Sequence, residues 1–144
     1  MAKLCFLFGH RDAPDDILPE LIRTAERHYV QYGIREYVVG RYGNFDHLAL
    51  RAIRELKKAH EDVRLLVLTP YYSPERPQEL PAGCDGTLYP DGMERVPKRA
   101  AIIRANRYMI GRADSVICYV NRPGNARELL RHALILAKSA DNIV

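Results

Sequence analysis

Disulfide, metal and membrane chemistry have little to work with in this sequence. The cysteines number three, Cys5, Cys84 and Cys118, and none stands in a Cys-x-x-Cys pair. The five histidines are scattered from His10 to His132, so no spacing resembles a structural zinc site and no cofactor is called for. Cys5 and Cys118 fall inside apolar runs and read as reduced core residues. No apolar run approaches a membrane span. The stretch from Met1 to Phe8 carries one lysine and is broken at once by Gly9-His10-Arg11-Asp12, too short for the apolar region of a signal peptide, so the expected address is cytoplasmic. Neither Gly-x-Gly-x-x-Gly nor the P-loop pattern Gly-x4-Gly-Lys-Ser/Thr occurs, which disfavours ordinary dinucleotide binding and P-loop NTPase activity. A long basic run is missing too. The formal charge of +4 and pI near 9.0 favour an anionic ligand only weakly, and dispersed basic residues without an aromatic platform argue against nucleic acid.

What remains is a pattern of alternating strands and helices across 144 residues, the size of one domain with one core. Leu4 to Phe8, Glu36 to Gly40, Val63 to Leu68 and Ser115 to Val120 are apolar runs of the kind buried on both faces of a parallel sheet. Between them lie helical stripes. One runs from Ile17 to Tyr29, with Asp15 or Asp16 as its cap and Gly33 closing it; a second follows Asp46 as N-cap and ends in Lys57, Lys58 and His60. A third spans Lys98 to Arg112. A fourth begins with Asn125 and Glu128 arranged as a capping box. Asn142 to Val144 would form a brief fifth strand. From 69 to 97 six prolines exclude long regular elements; this segment reads as a partly ordered, lid-like loop with a short strand at Thr87 to Tyr89. The expected fold is a three-layer, doubly wound, Rossmann-like α/β domain over 1–144, with about five parallel strands in the order 3-2-1-4-5.

In that order ligands bind where the strand order reverses, at the carboxyl ends of the first and fourth strands. The loops there are Gly9-His10-Arg11-Asp12 and Asn121-Arg122-Pro123-Gly124-Asn125, joined by Gly40-Arg41-Tyr42-Gly43-Asn44-Phe45-Asp46 after the second strand. Each sets Gly and Arg beside a helix start, where unpaired amides favour phosphate or carboxylate. The expected partner is a small anionic ligand, nucleotide-related.

At FGHRD (Phe8 to Asp12), VGRYGNFD (Val39 to Asp46), RANRYMIGRADSVICYV (Arg104 to Val120) and PGNA (Pro123 to Ala126), the chain resembles the SLOG superfamily, closest to its YpsA-like group with a Gly-His-Arg signature. The resemblance implies a Rossmann-like fold that binds nucleotide-related ligands, frequently as a homodimer. Its first-loop motif falls on Gly9, His10 and Arg11, its second on Gly40, Gly43 and Asp46, and its helical motif on Asn106 and Arg107. Arg41 and Gly124-Asn125-Ala126 depart from the family's Gly-Gly pattern, leaving the phosphate and catalytic motif of the LOG-type phosphoribohydrolases incomplete.

Two functions follow as expectations: a binding or sensing module for a nucleotide derivative, or a hydrolase related to the LOG-type enzymes. Single-stranded nucleic-acid binding, as in DprA-type relatives, ranks third. His10 and Arg11 either bind phosphate, the favoured role, or brace their loop against Asp12 or Asp15. Asp46 and Glu128 are the weak catalytic candidates. Asp46 is more simply a helix cap, with a ribose hydroxyl as a second role, and Glu128 more simply the capping-box partner. Asn106 is expected to anchor the neighbouring loop, and Arg104 and Arg107 to form a solvated face. Tyr71 and Tyr72 either stack on a base or pack the proline-rich loop. The ligand-binding set is therefore Gly9, His10, Arg11, Gly40, Arg41, Gly43, Asp46, Arg107, Arg122, Gly124 and Asn125.

Overall fold

A computed structural model describes residues 2–70 and 79–144. Strands β1 (Lys3–Gly9), β2 (Ile34–Val39), β3 (Arg64–Leu68), β4 (Gly86–Leu88), β5 (Ser115–Tyr119) and β6 (Ser139–Asn142) form one sheet in the order β4-β3-β2-β1-β5-β6, every pair parallel. The helices are α1 (Leu18–Tyr32), α2 (Asn44–Ala59), α3 (Lys98–Arg112) and α4 (Asn125–Ile135). The expected order 3-2-1-4-5 is present as β3-β2-β1-β5-β6, with β4 added outside β3. β6 lies three residues earlier than expected, because its pairing with β5 runs from Ser139 opposite Ser115 to Asn142 opposite Cys118.

β1 holds the centre, and alternation of its side chains divides the core. Cys5 and Leu7 pack with Leu21 and Ala25 of α1 and with Phe45, Leu48 and Ile53 of α2. Leu4, Phe6 and Phe8 pack on the opposite face with Ala101, Ala105 and Met109 of α3 and Leu129 and Ala133 of α4. Thus the chain leaves β1 toward one face and β5 toward the other, and the two loops open a crevice between them. Phe8 and Gly9 pair with Cys118 and Tyr119, which brings both loop starts to one level.

Of the segment expected to be a lid, the described part joins the body of the fold. The Thr69 N–H donates to Leu88 O at 2.8 Å, the Asp85 N–H to Leu65 O at 2.8 Å, and the Asp85 carboxylate accepts from the Leu65 N–H at 2.8 Å. These bonds lay β4 on the edge of β3, and a 3-10 turn follows at Met93–Arg95. Tyr71 and Tyr72, expected on a base or in loop packing, lie outside the described residues.

The sequence placed side-chain caps on three helices, and none forms. Asp15 and Asp16 lie in a 3-10 turn whose N-cap is Pro14, and α1 follows from Ile17 without a side-chain cap. α2 starts at Gly43 rather than Asp46, and α4 at Gly124 rather than Asn125. In both later cases a glycine turns the chain one to three residues early and leaves the polar residue inside the first turn.

A Cβ on Gly9 would lie 2.6 Å from Cγ of Phe45, which is fully buried. Gly9→Ala should therefore destabilise the fold by about 1–3 kcal/mol through overpacking. In urea unfolding, Phe45→Leu in the same chain should recover part of that loss, giving non-additive energies.

Candidate functional site

A cavity of about 690 Å³ opens at the carboxyl ends of β1, β2 and β5, within the size range of small-molecule sites. Of the expected ligand-binding set it is lined by Gly9, His10, Arg11, Gly40, Asp46, Arg107, Arg122, Gly124 and Asn125, and also by Asn106 and Glu128. Arg41 and Gly43 do not line it. Gly43 acts from behind: it has φ of 146° and its Cα faces Arg11, where an added Cβ would meet the Arg11 Cα at 2.7 Å. That close approach lets the Asn44 N–H donate to Arg11 O at 2.8 Å, while Asn44 Nδ2 donates to Ala13 O at 2.6 Å. The second loop thereby fixes the first.

His10 joins the first loop to the fourth. Its backbone N–H donates to Tyr119 O at 3.3 Å, and its Nε2 accepts the Asn121 N–H at 3.1 Å. An accepting Nε2 requires the neutral ring with its proton on Nδ1. Burial and the nearby Arg122 charge push the His10 pKa down, which keeps it in that form. Arg122 in turn pairs with Asp12 at 2.8 Å, and this guanidinium holds the Asp12 carboxyl below its ordinary range. The partner of Asp12 is thus Arg122, not His10 or Arg11.

The two helix starts facing the cavity differ in what they leave open. At α2 the first-turn amide of Asn44 is bonded to Arg11 O, and Asp46 Oδ2 accepts the Tyr42 N–H at 2.9 Å. The Asp46 carboxylate also closes over Gly40, where an added Cβ would lie 2.6 Å from Oδ2. Of the three amides that precede the His47 N–H to Gly43 O bond, one is therefore taken, and the end carries its own negative group. At α4 the first intrahelical bond is Glu128 N–H to Gly124 O at 3.1 Å, so the amides of Asn125, Ala126 and Arg127 precede it, and no side chain caps them. Gly124 has φ of 139°, a left-handed region that favours glycine, and no atom lies within 4 Å of the place where its Cβ would be. An anion can reach these amides from the cavity.

Asp46 stands apart electrostatically. Burial raises its pKa to about 6, opposed by the Tyr42 N–H and by the Arg11 charge. Glu128 differs: exposed at the rim, it faces Arg131 at 3.8 Å and caps nothing. Asn106, expected to anchor a loop, instead lines the cavity and makes no hydrogen bond to a loop among the described residues. Arg131, His132, Ile102 and Ile135 also line the cavity and were not among the expected site residues. Their spacing on α3 and α4 carried the signal, since residues three, four or seven from Asn106 and Glu128 share a helix face.

A polar cluster inside the fold escaped the sequence reading altogether. His28 Nδ1 and Ser115 Oγ are 2.8 Å apart, His28 Nε2 and Asp141 Oδ2 are 2.6 Å apart, and Arg27 pairs with Asp141 at 3.1 Å. The Ser, His and Asp side chains resemble a hydrolase relay, but Ser115 and His28 are wholly buried, so no substrate reaches the hydroxyl. The cluster instead pins the polar edge strand β6 to α1.

Among known proteins, no family model and no curated sequence matches the chain.

Two predictions follow from these groups. Asp46 has a folded-state pKa above its unfolded value, so its contribution is least unfavourable below about pH 4 and stability is lost as pH rises toward about 6. Asp46→Asn keeps an acceptor for Tyr42 and removes the buried charge. In urea unfolding the variant should exceed the native chain in stability by on the order of 1–3 kcal/mol at pH 8, and the gap should close by pH 4. Ser115→Ala leaves the buried His28 Nδ1 with only the weak Cys5 Sγ contact at 3.9 Å and should cost about 1–3 kcal/mol in urea unfolding at pH 7.

Proposed function

We propose that the chain binds a nucleotide derivative through its phosphate, which rests on the first-turn amides of α4 and between Arg11 and Arg122. The observation that carries this reading is the contrast between the two helix starts. Both starts lack a side-chain cap, but at α2 the Asn44 amide is taken by Arg11 O and the Asp46 carboxylate stands beside the rest, whereas at α4 no first-turn amide is taken and the start is open above Gly124 and flanked by arginines. Helix N-termini with free amides favour phosphate, and an arginine adds paired donors. Asp46, across the cavity, supplies an acceptor for a sugar hydroxyl. The likeness of the loop motifs to nucleotide-binding SLOG proteins supports the same reading, and sensing or carrying a nucleotide derivative is the function it implies.

Asp46 favours a second reading, hydrolysis of an N-glycosidic bond. A carboxyl with a pKa of about 6 is protonated in roughly a tenth of molecules at pH 7 and in half at pH 6, a fraction that can give its proton to a departing base. Release of free base from nucleoside monophosphates that vanishes in Asp46→Asn would establish it, and no release would leave binding alone.

The test of the first reading is a thermal-shift titration with adenosine 5′-monophosphate and with inorganic phosphate. A ligand at one hundred times its Kd adds about 2.7 kcal/mol of stability, seen as a raised Tm. Arg11→Ala should weaken nucleotide binding about tenfold or more; unchanged affinity would remove the phosphate from this loop.

A further inference from the structure

A second groove runs along the outer side of α3, between that helix and the 90–97 segment, and meets the first cavity at Ile103 and Arg107, which line both. Its polar lining is Arg95, Arg104, Arg107, Tyr108 and one carboxylate, Asp91. Among the described residues Arg95, Arg104 and Arg107 form no ion pair, although seven other lysines and arginines do. All three are exposed.

Among the described residues, Arg104 and Arg107 of α3 have no ionic partner. The helix carries Lys98, Arg99, Arg104, Arg107 and Arg112 and not one acid. Arg99 stands in its first turn, the positive end of the helix dipole, where cations are unfavourable, and Pro97 provides no side-chain cap. Local rules broken without a packing gain mark functional surfaces. Arg104 and Arg107 are three residues apart on one helix, roughly 5–6 Å between Cβ atoms. A ligand whose phosphate rests on α4 and which passes Arg107 therefore meets Arg104 one turn of helix away, and Arg95 in the groove that the three arginines line.

Resting on the nucleotide-phosphate reading above, we propose that this groove is a second anion subsite, and that the ligand is a nucleotide derivative bearing two separated phosphate groups. One phosphate sits at the α4 amides, the other between Arg95 and Arg104, and Arg107 stands between them. A monophosphate fills only the first.

Calorimetric titration of the full chain with adenosine 5′-monophosphate and adenosine 3′,5′-bisphosphate, at one salt concentration, tests this. The bisphosphate should bind about tenfold more tightly or better, a difference of about 1.4 kcal/mol. The double variant Arg95→Ala/Arg104→Ala, whose exposed side chains leave the core intact, should lose that advantage while binding the monophosphate as the native chain does. Its Tm without ligand verifies folding. If the monophosphate binds and the bisphosphate binds no tighter, or if the advantage survives the double variant, the second subsite is overturned and the first reading stands. If neither nucleotide binds, both fail.

Discussion

The hydrogen bond from the Asn121 N–H to His10 Nε2 is the joint on which the cavity depends. Two loops that leave the sheet on opposite faces would otherwise be linked by side chains, among the described residues, only through the exposed Arg122–Asp12 pair. His10 binds both by its backbone, to Tyr119 O, and by its ring, to Asn121. Because the ring must be neutral to accept, the burial and the Arg122 charge that depress its pKa serve this joint directly. The loop on the other side is fixed by Asn44, whose N–H reaches Arg11 O. Arg11 is thus set by its neighbours' backbone, which leaves its guanidinium free of structural duty.

The same constraint decides where charge can go. Fastening Asn44 to Arg11 takes one amide of the α2 start, and the Asp46 carboxylate beside it repels anions. Nothing is spent at α4, whose glycine N-cap leaves both the amides and the space above them open. The cavity is therefore lined both by open amides with arginines and by a carboxylate, and on the proposed reading these take the ligand's phosphate and a sugar hydroxyl. The unpaired arginines of α3 extend the positive end outward.

Much of the scaffold was legible in the sequence because its signals are long and periodic. The apolar runs at Leu4 to Phe8 and Ser115 to Val120 can only be central strands, and their neighbours in order give the switch point. α3 is found at Lys98 to Arg112, as its pattern predicts. The helix starts were not legible. Asp46, Asn125 and Asp15 are good capping residues by type, yet Gly43 and Gly124 turn the chain ahead of two of them and a 3-10 turn takes up the third. Propensity ranks residues for a position but cannot fix where a turn is made. Nor could spacing reveal His28, Ser115 and Asp141, which come from three distant segments and meet only through the register of β5 with β6. His28 sits within an apolar helix stripe, where it passes for a surface residue.

The central claim is that phosphate rests on the start of α4 and not on that of α2. Amide nitrogen and proton shifts of the labelled chain, followed during titration with adenosine 5′-monophosphate, read this residue by residue. The account predicts the largest shifts at Gly124, Asn125, Ala126 and Arg127, with Asn44 and Phe45 little changed. Shifts concentrated at Asn44 to Asp46, or none at saturating nucleotide, would contradict it.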